Sequence, residues 1–248
     1  MTRAARLAFL LLLAAPAARA DLAQPINNAR YPTAGILPHR AYRVEARLTP
    51  ESSVQGGARL GLWNRVQIGA FYGVQHIVEK GDPIFNDHAG FEVRARVLEE
   101  DRWPALVVGF DSQGWYQYHP GDRRYERKSP GFFAVASKNW RSFAGDLSLH
   151  LGADYSLERE DEDAPNLFAA ADWTIARTVS LLFDAGTAWN DDTDDGRYGL
   201  GGVYLDAGVR VALGEHLQMM LVFSDLTRNL APGSDVGREV EIVYLNGF

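Results

Sequence analysis

The sequence predicts an all-β protein: a closed, antiparallel, up-and-down transmembrane β-barrel of about 12 strands that follows a cleaved signal peptide. Three observations lead to this fold class. Segments of about ten residues alternate apolar and polar side chains, the connections between them alternate in length, and tryptophans gather near the segment ends. A tilted strand of about ten residues has the length that crosses a bilayer.

The amino-acid composition excludes several classes of function. The chain has 248 residues, a net charge of -7 and no cysteine. The missing thiols exclude a disulfide scaffold, a thiolate zinc site, an iron–sulfur cluster and a cysteine nucleophile. An acidic chain is also poorly suited to a phosphate backbone, so we expect no nucleic-acid partner.

The first 40 residues form two segments. Residues 1–20 read as a secretory signal peptide, with Arg3 and Arg6 before an apolar run and small residues at a cleavage site that would leave Asp21 first. Residues 21–40 are interrupted by prolines and are too irregular for a strand, so they form either a periplasmic tail or a plug. The barrel is expected to occupy residues 41–248.

Twelve strands follow in order. They are predicted at 41–49, 54–63, 66–77, 88–99, 104–114, 131–140, 146–157, 166–175, 178–189, 203–213, 217–227 and 238–248. In the fourth, Phe91 and Val93 share one face while Glu92 and Arg94 share the other. A soluble sandwich would show the same alternation, so the pattern alone does not decide between the two folds.

Loop lengths favour the barrel. The connections after the second, fourth, sixth, eighth and tenth strands are short, and those after the third, fifth, seventh, ninth and eleventh are mostly long and polar. A barrel with both ends in the periplasm has this arrangement, with short turns on one rim and long extracellular loops on the other.

Aromatic residues at strand ends predict two membrane-interface girdles. The girdle residues are Trp63, Trp103, Trp140 and Trp173 at the short-turn rim, and Trp115 and Trp189 at the long-loop rim. The last segment places Val240, Ile242, Tyr244 and Phe248 at even spacings. This pattern resembles the C-terminal signal that the barrel-assembly machinery recognises, and an ordinary final strand is the alternative.

The inward face is predicted to carry a dense set of charges. Its members are Arg43, Glu45, Arg47, Glu92, Arg94, Arg96, Asp111, Lys138, Asp154, Asp172, Asp184, Asp206, Arg210, Glu239 and Glu241. They form either a salt-bridged interior that holds the shape of the barrel or a selectivity region for a charged solute or sugar acid.

Candidate chemistry is sparse, and we expect no catalytic residue, metal site or cofactor. Ser112 beside Asp111, with His119 in the next loop, is the nearest approach to a hydrolase grouping. The acidic loops 158–163 and 191–195 could bind calcium or bridge to lipopolysaccharide, although solvated loops explain them as well. The basic loop 123–128 could contact lipopolysaccharide phosphates or an acidic polysaccharide.

Three stretches suggest a family: Pro32 to Gly35, Pro104 to Asp111 and Phe133 to Lys138. Together they resemble the YjbH-like outer-membrane proteins, which are linked to exopolysaccharide production and export. The resemblance implies a Gram-negative outer-membrane location and polysaccharide or export components as partners, and it provides no catalytic residue to carry over.

The predicted function is therefore a non-enzymatic, narrow, charge-lined conduit or an accessory of exopolysaccharide export, in contact with outer-membrane lipid and lipopolysaccharide. One alternative is a closed structural or adhesion-type barrel that acts through its extracellular loops. A more distant alternative is an outer-membrane lipid hydrolase.

Overall fold

The computed structural model describes residues 25–50, 53–77, 82–142, 145–158, 164–175, 178–191, 197–231 and 233–248. The predicted signal peptide lies outside these residues. The strands, in chain order, are β1 (Ala41–Thr49), β2 (Ser53–Leu62), β3 (Val66–Gln75), β4 (Ile84–Phe85), β5 (Gly90–Leu98), β6 (Ala105–Asp111), β7 (Trp115–His119), β8 (Arg124–Arg127), β9 (Gly131–Ser142), β10 (Gly145–Tyr155), β11 (Asn166–Ile175), β12 (Val179–Thr187), β13 (Val203–Ala212), β14 (Leu217–Ser224) and β15 (Gly237–Gly247).

Twelve of these strands form one closed antiparallel barrel, which confirms the predicted fold class. Each barrel strand pairs with the next barrel strand along the chain, and β1 pairs with β15 from Ala41 opposite Gly247 to Leu48 opposite Val240. Closure leaves no unpaired edge, which strands in lipid require. No helix in the described part of the chain is long and apolar enough to cross a membrane.

The strand limits follow the alternation in the sequence closely, and three short strands were not predicted. β4 adds two residues to β3, and β7 and β8 form a separate hairpin inside the long connection 112–130. The hairpin shortens β6, which ends at Asp111 and not at the predicted 114. The sequence of the hairpin is polar and has no clean period of two, so alternation could not reveal the hairpin.

The outer surface is an apolar band with aromatic rims. On β5, Phe91 and Val93 are 58% and 50% exposed, whereas Glu92 and Arg94 are buried inside. Trp63, Trp103, Trp140 and Trp173 are exposed near the short-turn rim, and Trp189 is exposed at the long-loop rim, each where a girdle residue belongs. Ile242 and Tyr244 also face outward on β15, while their role as an assembly signal stays a prediction.

Candidate functional site

Residues 25–38, here called the lumen segment, lie inside the barrel. Asn27 and Pro32 form an antiparallel bridge, and the Asn28 N–H donates to the Tyr31 carbonyl (2.9 Å), so the segment begins as a tight loop. Its prolines lack N–H donors and cannot donate a hydrogen bond to a strand ladder. Of the two alternatives for residues 21–40, the described portion therefore occupies the position of a plug.

Asp184 on β12 is the main polar anchor of this segment. Its Oδ2 accepts the backbone N–H groups of Arg30 (2.6 Å) and Tyr31 (3.0 Å), and its Oδ1 accepts from Asn28 Nδ2 (2.5 Å). All four residues are buried. A buried carboxylate with three N–H donors is a strong, directional anchor.

Other walls of the barrel hold the segment too. Arg94 on β5 donates to the Ile26 carbonyl (2.8 Å), and the Leu37 N–H donates to Gln67 Oε1 on β3 (3.1 Å). On the far side, Arg210 of β13 donates to the carbonyls of Asn27 and Asn28 (both 3.0 Å). Bonds to opposite walls show that the segment crosses the lumen.

Apolar packing supports these bonds. Tyr31 stacks on Phe168, with ring centroids 4.7 Å apart, and Ala34 and Ile36 join a buried cluster with Val135 and neighbouring wall residues. The wall makes room with glycine: a Cβ on Gly186 would overlap the Tyr31 ring. Inward-facing glycine at this position therefore fits the segment to the wall.

The connection 112–130, here called the lumen hairpin because it contains β7 and β8, also folds into the barrel. Arg127 Nη1 lies 2.9 Å from Asp206 Oδ2 on β13, and Arg124 Nη2 lies 2.5 Å from Asp191 Oδ1. The Tyr116 hydroxyl bonds Ser224 Oγ on β14 (2.8 Å). The hairpin thus reaches across from β6 and β9 to the opposite wall.

Two sequence predictions about this connection are wrong. Trp115 is not a girdle residue, because the guanidinium groups of Arg30 and Arg47 lie 4.4 and 4.2 Å from its ring inside the lumen. The basic loop 123–128 offers only one of its four cations at the surface, because Arg124, Arg127 and Lys128 are buried and Arg123 is exposed. Inward folding of the hairpin is the cause of both errors.

Glu158 fixes the lumen hairpin from the neighbouring loop. Its two carboxylate oxygens accept the backbone N–H groups of Tyr125 (2.8 Å) and Ser129 (2.9 Å). Burial raises the pKa of Glu158 to about 7. Glu158 and Asp191 belong to the two predicted acidic loops, and both turn inward, whereas residues 159–163 and 192–195 lie outside the described part of the chain.

Little space is left between these inserts and the wall. Cavities beside Arg30 and Trp115, and beside Tyr31 and Arg127, measure about 20 Å³ each. Each holds about one water molecule, far less than a sugar or a nutrient needs. The lumen is therefore closed at this level of the structure.

The lumen charges divide into two surfaces. One, the paired wall, joins four arginines to three glutamates of its own strands through short ion pairs. Arg94 Nη2 lies 2.7 Å from Glu92, and Glu241 lies 2.5 Å from both Arg43 and Arg47. Its members are Arg43, Glu45, Arg47, Arg59, Glu92, Arg94 and Glu241.

The other, the acidic wall, consists of Asp154, Asp172, Asp184, Asp206 and Glu239 on β10 to β13 and β15. Asp184 and Asp206 are direct cross-strand partners. The cations beside Asp206 and Glu239 come from the inserts: Arg30 pairs with Glu239 and lies 3.8 Å from Asp206, which Arg127 also contacts. All five carboxylates are buried.

Most other predicted lumen residues also face inward, with one exception. Arg96 donates to the Ala34 carbonyl (3.3 Å), and Asp111 accepts from the Gln113 N–H (2.8 Å). Lys138 was placed on the wrong face: it shares the outward parity of Trp140, and its ammonium binds Glu100 (3.3 Å) in a short turn. Successive side chains of a strand point to opposite faces, so Lys138 faces outward on β9 although it is charged.

The suggested hydrolase grouping is not assembled. Ser112 Oγ accepts the Phe91 N–H (2.8 Å), while His119 lies 3.5 Å from Glu126. No cluster of three or more potential metal ligands occurs among the residues described.

A different set of bonds links Ser137, His150 and Asp172 on three adjacent strands. His150 Nδ1 lies 2.7 Å from Ser137 Oγ, and its Nε2 lies 3.1 Å from Asp172 Oδ2. Ser137 Oγ also accepts the Ala34 N–H (2.8 Å), so this chain of bonds ends on the lumen segment and anchors it.

Sequence reasoning missed several lumen residues. Arg59, Gln67 and His150 lie on the inward parity of their strands, so the period of two could have found them. Arg30, Arg124 and Arg127 lie outside the barrel strands, and no periodic signal marked them.

No family model matches the chain, and no curated protein matches it. The YjbH-like resemblance therefore stays a prediction. Among solved structures, the chain is similar to the KdgM porin, with 9% identity over 82% of this chain and 98% of that one and a TM-score of 0.48. It is also similar to the NanC porin (9%, 84% and 99%, 0.44) and to Omp33 of Acinetobacter baumannii (7%, 85% and 98%, 0.40). These likenesses concern the barrel fold.

Proposed function

We propose that this chain is a non-enzymatic outer-membrane barrel whose charge-lined conduit is held closed by the lumen segment and the lumen hairpin. The apolar outer band with its aromatic rims supports the membrane location. The main support for closure is that Asp184, an inward wall residue, accepts three hydrogen bonds from N–H groups of the lumen segment. An insert held by discrete polar bonds can leave without unravelling the strand ladder, which closes independently through β1 and β15.

Planar-bilayer recording tests this proposal. The chain from Asp21 is compared with two refolded variants, one lacking residues 25–38 and one in which residues 113–129 are replaced by a short Gly-Ser turn. We expect rare or no openings in the parent and stable steps once the inserts are removed. Heat-modifiable gel mobility confirms that each barrel is folded. Silence in every folded variant, including one lacking both inserts, would contradict the proposal and favour a closed structural barrel that acts through its loops.

The finer role, as an accessory of exopolysaccharide export, rests on the YjbH-like resemblance of the sequence. Deleting the gene in its host and measuring surface and released polysaccharide tests it. We expect a deficit that the parent chain restores. Unchanged polysaccharide would separate the barrel from such a system without affecting the conduit proposal.

A further inference from the structure

We propose that the conduit, once open, selects cations, and that the acidic wall is the surface that selects them. This inference rests on the proposed function, because it concerns the same lumen after the lumen segment and the lumen hairpin have moved away. The solutes selected would be metal cations, amines and other positively charged molecules.

The two walls differ in where their counter-charges come from. On the paired wall, Arg59 Nε lies 3.1 Å from Glu92, and Arg43 Nε lies 2.5 Å from Glu45. Each of the four arginines there is paired with one of three glutamates of the barrel itself. These pairs remain when the inserts leave. The arginines are therefore poorly placed to attract an anionic sugar.

The acidic wall depends on the inserts. Arg30 of the lumen segment pairs with Glu239, and Arg127 of the lumen hairpin lies 2.9 Å from Asp206. Arg127 Nη2 and Arg30 Nη1 are buried with no hydrogen-bond partner among the described residues. Each guanidinium group thus contacts the acidic wall through one Nη group, while its other Nη group makes no hydrogen bond.

The position of the carboxylates makes this dependence strong. Asp184 and Asp206 face each other across β12 and β13, and like charges directly opposite on a sheet repel. Within the barrel, Arg210 on β13 is a cation close to this wall, and it binds carbonyl groups of the lumen segment. Removing the inserts leaves a carboxylate surface that water must solvate and mobile cations must neutralise.

The reversal potential in a tenfold KCl gradient tests the inference in the barrel that lacks both inserts, because a retained lumen hairpin would keep Arg127 on Asp206. We expect potassium to permeate at least about threefold more readily than chloride at 0.1 M salt, and the preference to shrink near 1 M as screening shortens the reach of the charges. Replacing Asp184→Asn, Asp206→Asn and Glu239→Gln together should remove most of the preference. The control pair Glu99→Gln and Glu215→Gln removes two exposed acids at the short-turn rim and should not. Stable steps that prefer chloride, or neither ion, would overturn the inference while leaving the conduit standing.

A second measurement does not need ionic current. Since the chain has no cysteine, Ala170→Cys places one thiol on the inward face opposite Asp184. In the barrel that lacks both inserts, a trimethylammonium thiosulfonate should modify this thiol about tenfold faster than a sulfonate of similar size. The three neutralising substitutions should bring the two rates together. Equal rates before neutralisation would contradict cation selection, even if every variant were electrically silent. Electrical silence in every variant would instead count against the conduit itself.

Discussion

Asp184 shows how one side chain can position a whole segment. Its carboxylate accepts two backbone N–H groups and one side-chain N–H group from residues 28–31, all buried. Asparagine has nearly the same shape but lacks the charge and offers one oxygen in place of two.

We therefore expect Asp184→Asn to loosen the lumen segment while the barrel stays folded. Charge-assisted hydrogen bonds contribute about 1.5–3 kcal/mol each, so a thiol placed at buried Ala29 should react about tenfold or more faster than in the parent. The control is Asp82→Asn, at an exposed loop position. An unchanged reaction rate would mean that Asp184 is not the anchor.

Gly186 offers a steric test of the same contact. A Cβ there would overlap Tyr31, whereas a Cβ on Gly56 would meet no atom within 4 Å. We expect Gly186→Leu to displace the Tyr31 ring from Phe168 and to raise the Ala29→Cys labelling rate, and Gly56→Ala to leave it unchanged. Equal effects of the two substitutions would show that the segment does not depend on the space at Gly186.

At the scale of the element, the lumen hairpin is held by carboxyl groups whose pKa is raised by burial. Burial raises the pKa of Glu158 to about 7 and also raises the pKa of Asp191, which faces Arg124 and Lys128. In the undocked hairpin these carboxyls would return towards their ordinary values near 4. The docked state therefore binds protons more tightly, and its stability falls as the pH rises from about 4.5 to about 7.

We expect the hairpin to block the lumen more completely at pH 5 than at pH 8. In the barrel that lacks residues 25–38, the open probability should be lower at pH 5, and Glu158→Gln should flatten much of that dependence. The parent-like control is Glu215→Gln in an exposed turn. An open probability that falls as the pH rises would have the wrong sign for this account.

The barrel strands could be predicted from the sequence, whereas the two inserts could not. The twelve barrel strands were predictable because each one carries its own signal, an alternation that the bilayer and the lumen impose on every strand. The lumen segment and the lumen hairpin carry no such signal. Arg30 and Arg127 acquire their positions from Glu239 and Asp206, partners more than 75 residues away, and no local pattern encodes that meeting.

For the whole molecule, the barrel and its contents form two systems with different forces. Backbone bonds close the cylinder, including eight paired positions between β1 and β15. Ion pairs and polar contacts fill it. The inward charges of the strands were largely predictable, with Lys138 wrongly included and Arg59 missed, but their division into a paired wall and an acidic wall required the register of every strand.

This division predicts that the same three substitutions have opposite effects on the apparent melting temperature in the parent and in the barrel without its inserts. In the parent, Asp184→Asn, Asp206→Asn and Glu239→Gln together remove the carboxylates that hold Arg30 and the backbone of the lumen segment, which leaves buried donors and a buried guanidinium without partners. Breaking a buried ion pair costs about 3–5 kcal/mol. The apparent melting temperature should therefore fall.

In the barrel that lacks both inserts, Asp184 and Asp206 face each other and all three carboxylates face water, so neutralising them relieves repulsion and the apparent melting temperature should rise. The shift should be largest at low ionic strength, where exposed charges interact over longer distances. Heat-modifiable mobility at 0.05 M and 0.5 M salt measures both effects on the same gels. A decrease in both backgrounds would mean that the acidic wall supports the barrel itself, and the separation between a self-closing cylinder and its removable contents would be wrong.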